Sequence, residues 1–384
     1  MGARMFHRPK CDSVLEAAVV ILLLWQWPTH PAHAQLLTDN NRGLVEVITG
    51  SADGTDARLV EDLANLLDDS TRRVLPVVGK GSLQNVADLE ALRGIDMALV
   101  QTDALDRLKA QKPGQSITYI AKLYNEEFHL LARSEIKSVN DLDGRKVNFG
   151  TAGDGTSVTG PALFDRLGVK VEATSYVPAL ALEKLRSGEI AALAYVAAKP
   201  APLFSTLRRS DGLHFIAIPM NNAVAGDYRP ARLTGNDYPD LMSPTEAVDT
   251  VAVGMALMVA NLVPGSERSR SVASFVGAFF TQLPRLQEAG HDPKWREVDL
   301  SAELPGWKRY PPAETWLKRN LVASGSSIGP GPSVNERDLR EIFSKFLDER
   351  SRAQGTHTLS DQEKSEMFNE FRAWQKGFST VTRP

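Results

Sequence analysis

In the stretch VNFGTAGDGTSVTGPALFDRLG, residues 147–168, glycines and the hydroxyls of Thr151, Thr156 and Ser157 stand between an apolar run and a helical pattern. Backbone N–H groups at the start of a helix, joined by such hydroxyls, attract an anionic or polar group. The same residues also fit an ordinary strand-to-helix turn with Thr156 or Ser157 as its N-cap. Nucleotide phosphates are excluded by the detail of the pattern. Gly153 and Gly155 suit a dinucleotide fingerprint but Val158 stands where the third glycine belongs, and no Gly-Lys-Ser/Thr follows.

Residues for covalent chemistry are sparse. Beyond the N-terminal leader described below, the histidines are His129, His214, His291 and His357, widely spaced and without H-E-x-x-H, and Cys11 is the only cysteine. No transition-metal site or cofactor is expected from that set. Ser157 lacks the second glycine of a nucleophile elbow, since Thr159 occupies its place, and the S-x-x-K match at Ser134–Lys137 has no companion motif. The adjacent carboxylates Glu126-Glu127 and Asp68-Asp69 read as solvated surface. No nucleophile is assembled with a base, and no catalytic residue is assigned.

The elements that must hold the loop alternate regularly. LVEVITG (44–50), RRVLPVVG (72–79) and DMALVQTD (96–103) read as strands, each followed by a helical pattern; RKVNFGTA, VEATSYV and EIAALAYVA repeat the alternation. Such alternation predicts α/β lobes with mainly parallel sheets, whose ligands lie beyond the carboxyl ends of the strands. The segments to watch are therefore 51–55, 101–103, 151–157 and 196–200. Asp103 and Ser82 are equally good helix caps, Arg58 and Lys80 read as solvated cations, and Tyr124 and Tyr195 suit core aromatics whose hydroxyls reach water.

At the N-terminus, Arg4, Arg8 and Lys10 precede the apolar run Ala17–Trp25, and the segment ends Ala32-His33-Ala34-Gln35. This is the form of a secretory signal peptide cleaved after Ala34, which places the mature, soluble chain in the periplasm. Cleavage removes the only cysteine together with three basic and two acidic residues, leaving 41 Lys+Arg against 45 Asp+Glu. No disulfide staples the mature protein, so its cores must suffice. No basic stripe appears, which makes nucleic acid a poor partner.

The segments 120–168, GIDMALVQTD (94–103), GEIAALAYVAAKPAP (188–202), YRPARLTGNDYPDL (228–241), DTVAVGMALMVAN (249–261) and GWKRYPPAETWLKR (306–319), taken in order, make the chain resemble the TAXI family of solute-binding receptors. Those receptors serve tripartite ATP-independent periplasmic (TRAP) transporters. The resemblance implies a two-lobed periplasmic-binding-protein fold of type II kind. It implies a small carboxylate or amino acid enclosed between the lobes, and a TRAP membrane permease subunit as partner. Carried over residue by residue, it implies ligand contacts at Ser51, Gly54, Thr55, Ser82, Gln101, Asp103, Tyr124, Thr151, Gly155, Thr156, Ser157, Tyr195, Ala197 and Pro200. Where many members carry an aromatic pair after the first loop's Gly-Thr, this chain has Asp56-Ala57, which removes an apolar wall and adds a charge.

The expected organisation is a signal peptide over 1–34, lobe 1 over 35–125, lobe 2 over 126–220, a return to lobe 1 over 221–323, a linker over 324–334 and a helical extension over 335–384. In that extension 336–350 and 361–378 read as amphipathic helices, with Ser360 and Glu363 as a capping box for the second. A receptor that closes on a ligand without altering it is the leading reading. An enzyme working in the same cleft, a transferase or lyase, and a sensor coupled to a signalling protein are the alternatives.

Overall fold

A computed structural model describes residues 43–52, 54–111, 117–323, 344, 360, 362–365, 367 and 368. The expected signal peptide, the linker and the helix at 336–350, apart from Ser344, which is helical, lie outside these residues. The chain divides into two units, Met1–Leu317 and Lys318–Pro384.

In the first unit the strands are β1 (Leu44–Thr49), β2 (Arg73–Val78), β3 (Ile95–Gln101), β4 (Thr118–Arg133), β5 (Lys146–Asn148), β6 (Glu172–Thr174), β7 (Ala192–Ala197), β8 (Leu213–Phe215), β9 (Arg229–Thr234) and β10 (Ala247–Val259). The helices are α1 (Thr55–Leu67), α2 (Ser82–Ala91), α3 (Thr102–Gln111), α4 (Gly155–Leu167), α5 (Pro178–Ser187), α6 (Asn222–Ala225), α7 (Glu267–Leu286) and α8 (Pro311–Ala323), the last of which runs on past the unit boundary. One sheet runs β2-β1-β3-β10-β4-β7-β5-β6, with β9 against β10 and β8 against β4.

The expected α/β architecture is the one observed, with one difference in the sheet. Strands β1, β2 and β3 are parallel to one another, as are β5, β6 and β7. Between these groups, β4 and β10 pair antiparallel with each other and with both flanks. The sheet is mixed because two long strands must carry the chain out to the second half and back.

Each half has its own core. Ile48, Val86, Leu89, Val100 and Leu105 pack together in the first half. In the second, Phe128, Val147, Leu163, Phe164 and Ala194 fill one face of the sheet, and Leu131, Leu182, Leu185, Phe204 and Phe215 fill the other. Val224 and Tyr228, and likewise Leu233, Tyr238, Leu241 and Met242, belong to the second-half cores. The chain therefore crosses back along β10 rather than at residue 221. Helix α7 backs the first half, where Phe279 stacks on Phe275 and meets Trp295 edge-on.

Helix α1 shows how local pattern becomes packing. Leu59, Val60, Leu63 and Leu67 recur at helical spacing and are all buried. The helix stops at Asp68, whose carboxylate turns away to accept from the Val74 backbone N–H at 2.8 Å. In the second unit, Ser360 N–H donates to Glu363 Oε2 at 2.8 Å and Glu363 N–H returns to Ser360 Oγ, the reciprocal pair of the expected capping box.

Candidate functional site

Five strands end at the same place. Beyond Thr49, Val78, Gln101, Asn148 and Ala197 the chain turns around a cavity of about 240 Å³ that lies between the two halves of the first unit. The first half lines it with Gly50, Ser51, Gly54, Thr55, Asp56, Gly79–Ser82 and Gln101; the second with Thr151, Asp154–Thr156, Pro178 and Tyr195–Ala197; the connecting strands add Glu126 and Met255.

Of the residues singled out from sequence, Ser51, Gly54, Thr55, Ser82, Gln101, Thr151, Gly155, Thr156, Tyr195 and Ala197 line this cavity, and Asp103, Tyr124, Ser157 and Pro200 do not. Tyr124 stands one layer behind, fully buried, and its hydroxyl donates to Asp56 Oδ1 at 3.0 Å. Asp103 bridges the halves instead: its Oδ2 accepts from Thr159 Oγ1 at 2.7 Å and from the Tyr228 hydroxyl at 3.3 Å. Ser157 is turned into its own loop, its Oγ donating to the Asp154 carbonyl and accepting from Gly153 N–H. Pro200 is exposed.

The cap of α4 is also neither Thr156 nor Ser157. It is Asp154, whose Oδ1 accepts from Ser157 N–H at 2.8 Å while Oδ2 takes Thr151 N–H at 2.6 Å. Asp is a strong N-cap and stands three residues before the N–H it satisfies, a signal present in the sequence D-G-T-S. Thr156 keeps a structural duty too, its Oγ1 accepting from Val196 N–H at 3.0 Å. Ser82 is not a cap: Gly81 occupies that position, and Ser82 Oγ donates to Gln101 Oε1 at 2.9 Å. Its backbone has φ +40°, a conformation rare outside glycine.

Two acids shape the inner wall. Asp56 accepts from Gly50 N–H at 2.9 Å as well as from Tyr124, which pins the first loop over the end of β1. Glu126 Oε2 accepts from Gln101 Nε2 at 2.6 Å. Both are buried, and burial raises the carboxyl pKa of each, Glu126 well above the ordinary range because the charge of Asp56 adds to the effect. The pair Glu126-Glu127 is thus no solvated surface: each is 5% exposed. Glu127 points to the other face of β4, where it meets Lys294 at 3.0 Å. A further residue missed from sequence is Asn85, fully buried, whose side chain ties Gly81 N–H to the carbonyls of Thr49 and Leu99 and so fixes three strand ends relative to one another. Its signal was a polar residue on the apolar face of α2.

The cations near the cavity stand at its edge. Arg58 bonds Asp292 and Thr55, while Lys80 is exposed at the rim. No group of three or more His, Cys, Asp or Glu among the described residues is arranged to hold a metal.

A model of the NMT1-like family matches residues 47–299, which includes every lining residue of the cavity. The chain belongs to the NMT1-like family. Solved structures similar to this NMT1-like chain include the periplasmic binding protein BugD, at 14% identity over 66% of this chain and 85% of that one, with a TM-score of 0.42. The alkanesulfonate-binding protein SsuA from Xanthomonas axonopodis pv. citri, bound to MOPS, matches at 15% identity over 72% of this chain and 83% of that one, TM-score 0.42. The periplasmic aliphatic sulphonate binding protein SsuA from Escherichia coli matches at 16% identity over 84% and 91%, TM-score 0.39.

The halves meet where Gly155, the first residue of α4, abuts the Gln101 amide; a Cβ there would run into that side chain. Gly155→Ala is therefore expected to push Gln101 away from Ser82 and Glu126. Affinity for any solute found to bind should fall about ten-fold, or ~1.4 kcal/mol, while the urea midpoint changes by no more than one hydrogen bond, ~1 kcal/mol. Titration of the variant beside wild type decides it, and unchanged affinity would show that the close approach is incidental.

Proposed function

We propose that this chain is an extracytoplasmic solute-binding receptor of a TRAP-type transporter, of the TAXI kind, and that it captures a small carboxylate or amino acid by closing two lobes around it. The observation that carries the reading is the cavity built from strand ends and helix starts of both halves. A solute that touches both walls stabilises the closed form by the difference between its contacts there and in the open form.

The lobes are the two halves of the sheet, and β4 and β10 are the crossing strands about which they turn. Helices α1 and α2 start after Gly54 and Gly81, which supply no side-chain cap, so their positive ends face the negative end of a solute, although in α2 the Gln84 N–H is already taken by the Gly153 carbonyl. The closed surface is then what a membrane permease recognises. Chemistry on the solute plays no part in this reading: the residues around the cavity are engaged in holding one another, and among the described residues no nucleophile is paired with a base.

The test joins calorimetry to small-angle scattering. Purified protein screened against organic acids and amino acids is expected to show saturable binding and a smaller radius of gyration with solute. A solute that returned chemically altered would replace the receptor with a cleft enzyme. Export is tested separately. Intact mass of protein recovered from the periplasm is expected to begin at Gln35; the uncleaved chain in the membrane fraction would overturn that part.

A further inference from the structure

We infer that the inner wall of the cavity is an ammonium subsite, in which Glu126, backed by Asp56, takes the charged amine of the solute. The solute is then an amino compound rather than a bare carboxylate. The inference rests on the receptor reading above and narrows it.

The acids around the cavity differ in what each has left to offer. Asp154 uses both oxygens on the backbone of its own turn. Asp56 uses both as well, on Gly50 and Tyr124. Glu126 is different. Its side chain lines the cavity in a residue only 5% exposed, and one oxygen accepts from Gln101. The other oxygen has no donor among the described residues. That oxygen is not sealed in the protein but open to the cavity, where a donor on a solute can reach it.

What arrives must be a donor, and preferably a cation. The charged groups that bear on Glu126 are Asp56 from α1, and Glu127 on its own strand with Lys294 behind it. Lys294 already serves Glu127, Glu297 and the Asn125 carbonyl. The one cation among the described lining residues is Lys80, exposed at the rim, so a bare anion placed against Glu126 would meet two carboxyl groups with no side-chain cation between them. An ammonium brings three donors and a positive charge to that pair of carboxyl groups.

Proton linkage supplies an independent readout. Burial and the Asp56 charge keep a proton on Glu126 to higher pH than an ordinary glutamate. An ammonium set beside it favours the ionised form, so binding releases that proton; an anion in the same place would hold the proton in.

The experiment uses matched pairs that differ only in the amine: 4-aminobutyrate with butyrate, L-leucine with 4-methylpentanoate, L-glutamate with glutarate. Each is titrated calorimetrically in two buffers of different ionisation enthalpy. At least one amino member is expected to bind, at least ten-fold tighter than its deaminated partner and with release of protons. E126Q is expected to lose ten-fold or more in that affinity and to abolish the proton release. Deaminated acids that bind as well as their amino partners, or proton uptake on binding, would overturn the subsite while leaving the receptor intact. If wild type bound neither kind, both readings would fall. The matched pairs on wild type decide the matter even if E126Q does not fold.

Discussion

Lys294→Met is expected to cost about 3–5 kcal/mol of folding stability, the penalty for leaving a buried charge without its partner. Lys294 is 5% exposed, and its ammonium donates to both oxygens of Glu127, to Glu297 Oε1 at 2.7 Å and to the Asn125 carbonyl at 2.7 Å. Glu127 in turn accepts from Lys199 N–H at 3.0 Å, in the turn that follows β7. One buried carboxylate thus joins the segment 293–297, packed under α7, to the second half of the sheet. Removing both charges is expected to cost much less than removing one. Glu127→Gln combined with Lys294→Met should recover a large part of the loss, since neither side is then an unpaired ion. Urea unfolding of the two single variants and the double variant measures this. Equal and additive losses would mean that the pair is not coupled.

The second large effect is acid lability from His129. Its ring is fully buried, with Nδ1 3.2 Å from the Tyr195 carbonyl and Nε2 2.6 Å from the Tyr238 hydroxyl. Ala201 N–H donates to the Tyr238 oxygen, so the phenolic proton goes to Nε2 and the imidazole carries its hydrogen on Nδ1 toward Tyr195. Burial holds the His129 pKa down to about 4. The unfolded chain takes up this proton near pH 6.5, before the folded one does, so stability is full above that pH and is lost as pH falls toward 4. The loss by pH 4 is about 3 kcal/mol. Asp56, Asp103 and Glu126 act in the opposite sense, because their raised pKa values let the folded protein bind protons first. Wild-type stability alone would therefore mask the histidine. The difference between wild type and His129→Gln isolates it: a penalty at pH 7 for the lost fit, shrinking by about 3 kcal/mol toward pH 4. A difference that did not move with pH would mean that the imidazole binds its proton equally well in the folded and the unfolded chain.

The alternation of strands and helices was legible because it is local. Each segment carries its own periodicity, and the loops after β1, β3, β5 and β7 follow from where parallel strands must end. The failures came from distance. Glu126-Glu127 looks like surface when read as two charges, yet the sixteen-residue strand around it is buried on both faces along most of its length. A strand buried on both sides carries its polar residues inward too, and that was the signal. Asp103 looked like a cap or a ligand contact because the residues that claim it, Thr159 and Tyr228, arrive from the other half. The antiparallel centre of the sheet was hidden for the same reason, since the strand that lies beside β3 comes long after it in sequence.

That late strand bears on how the molecule is made. Gln101 at the end of β3 pairs with Met255, and β10 fills the whole space between β3 and β4. Until β10 has been synthesised, the first half of the sheet keeps an open edge at β3 and the strand that leads into the second half has no neighbour on one side. Closing so long a loop is slow, because its entropy is lost before the contacts that reward it are made. A nascent chain of this design stays unfinished through most of its synthesis, and an unfinished chain can still be threaded through a pore.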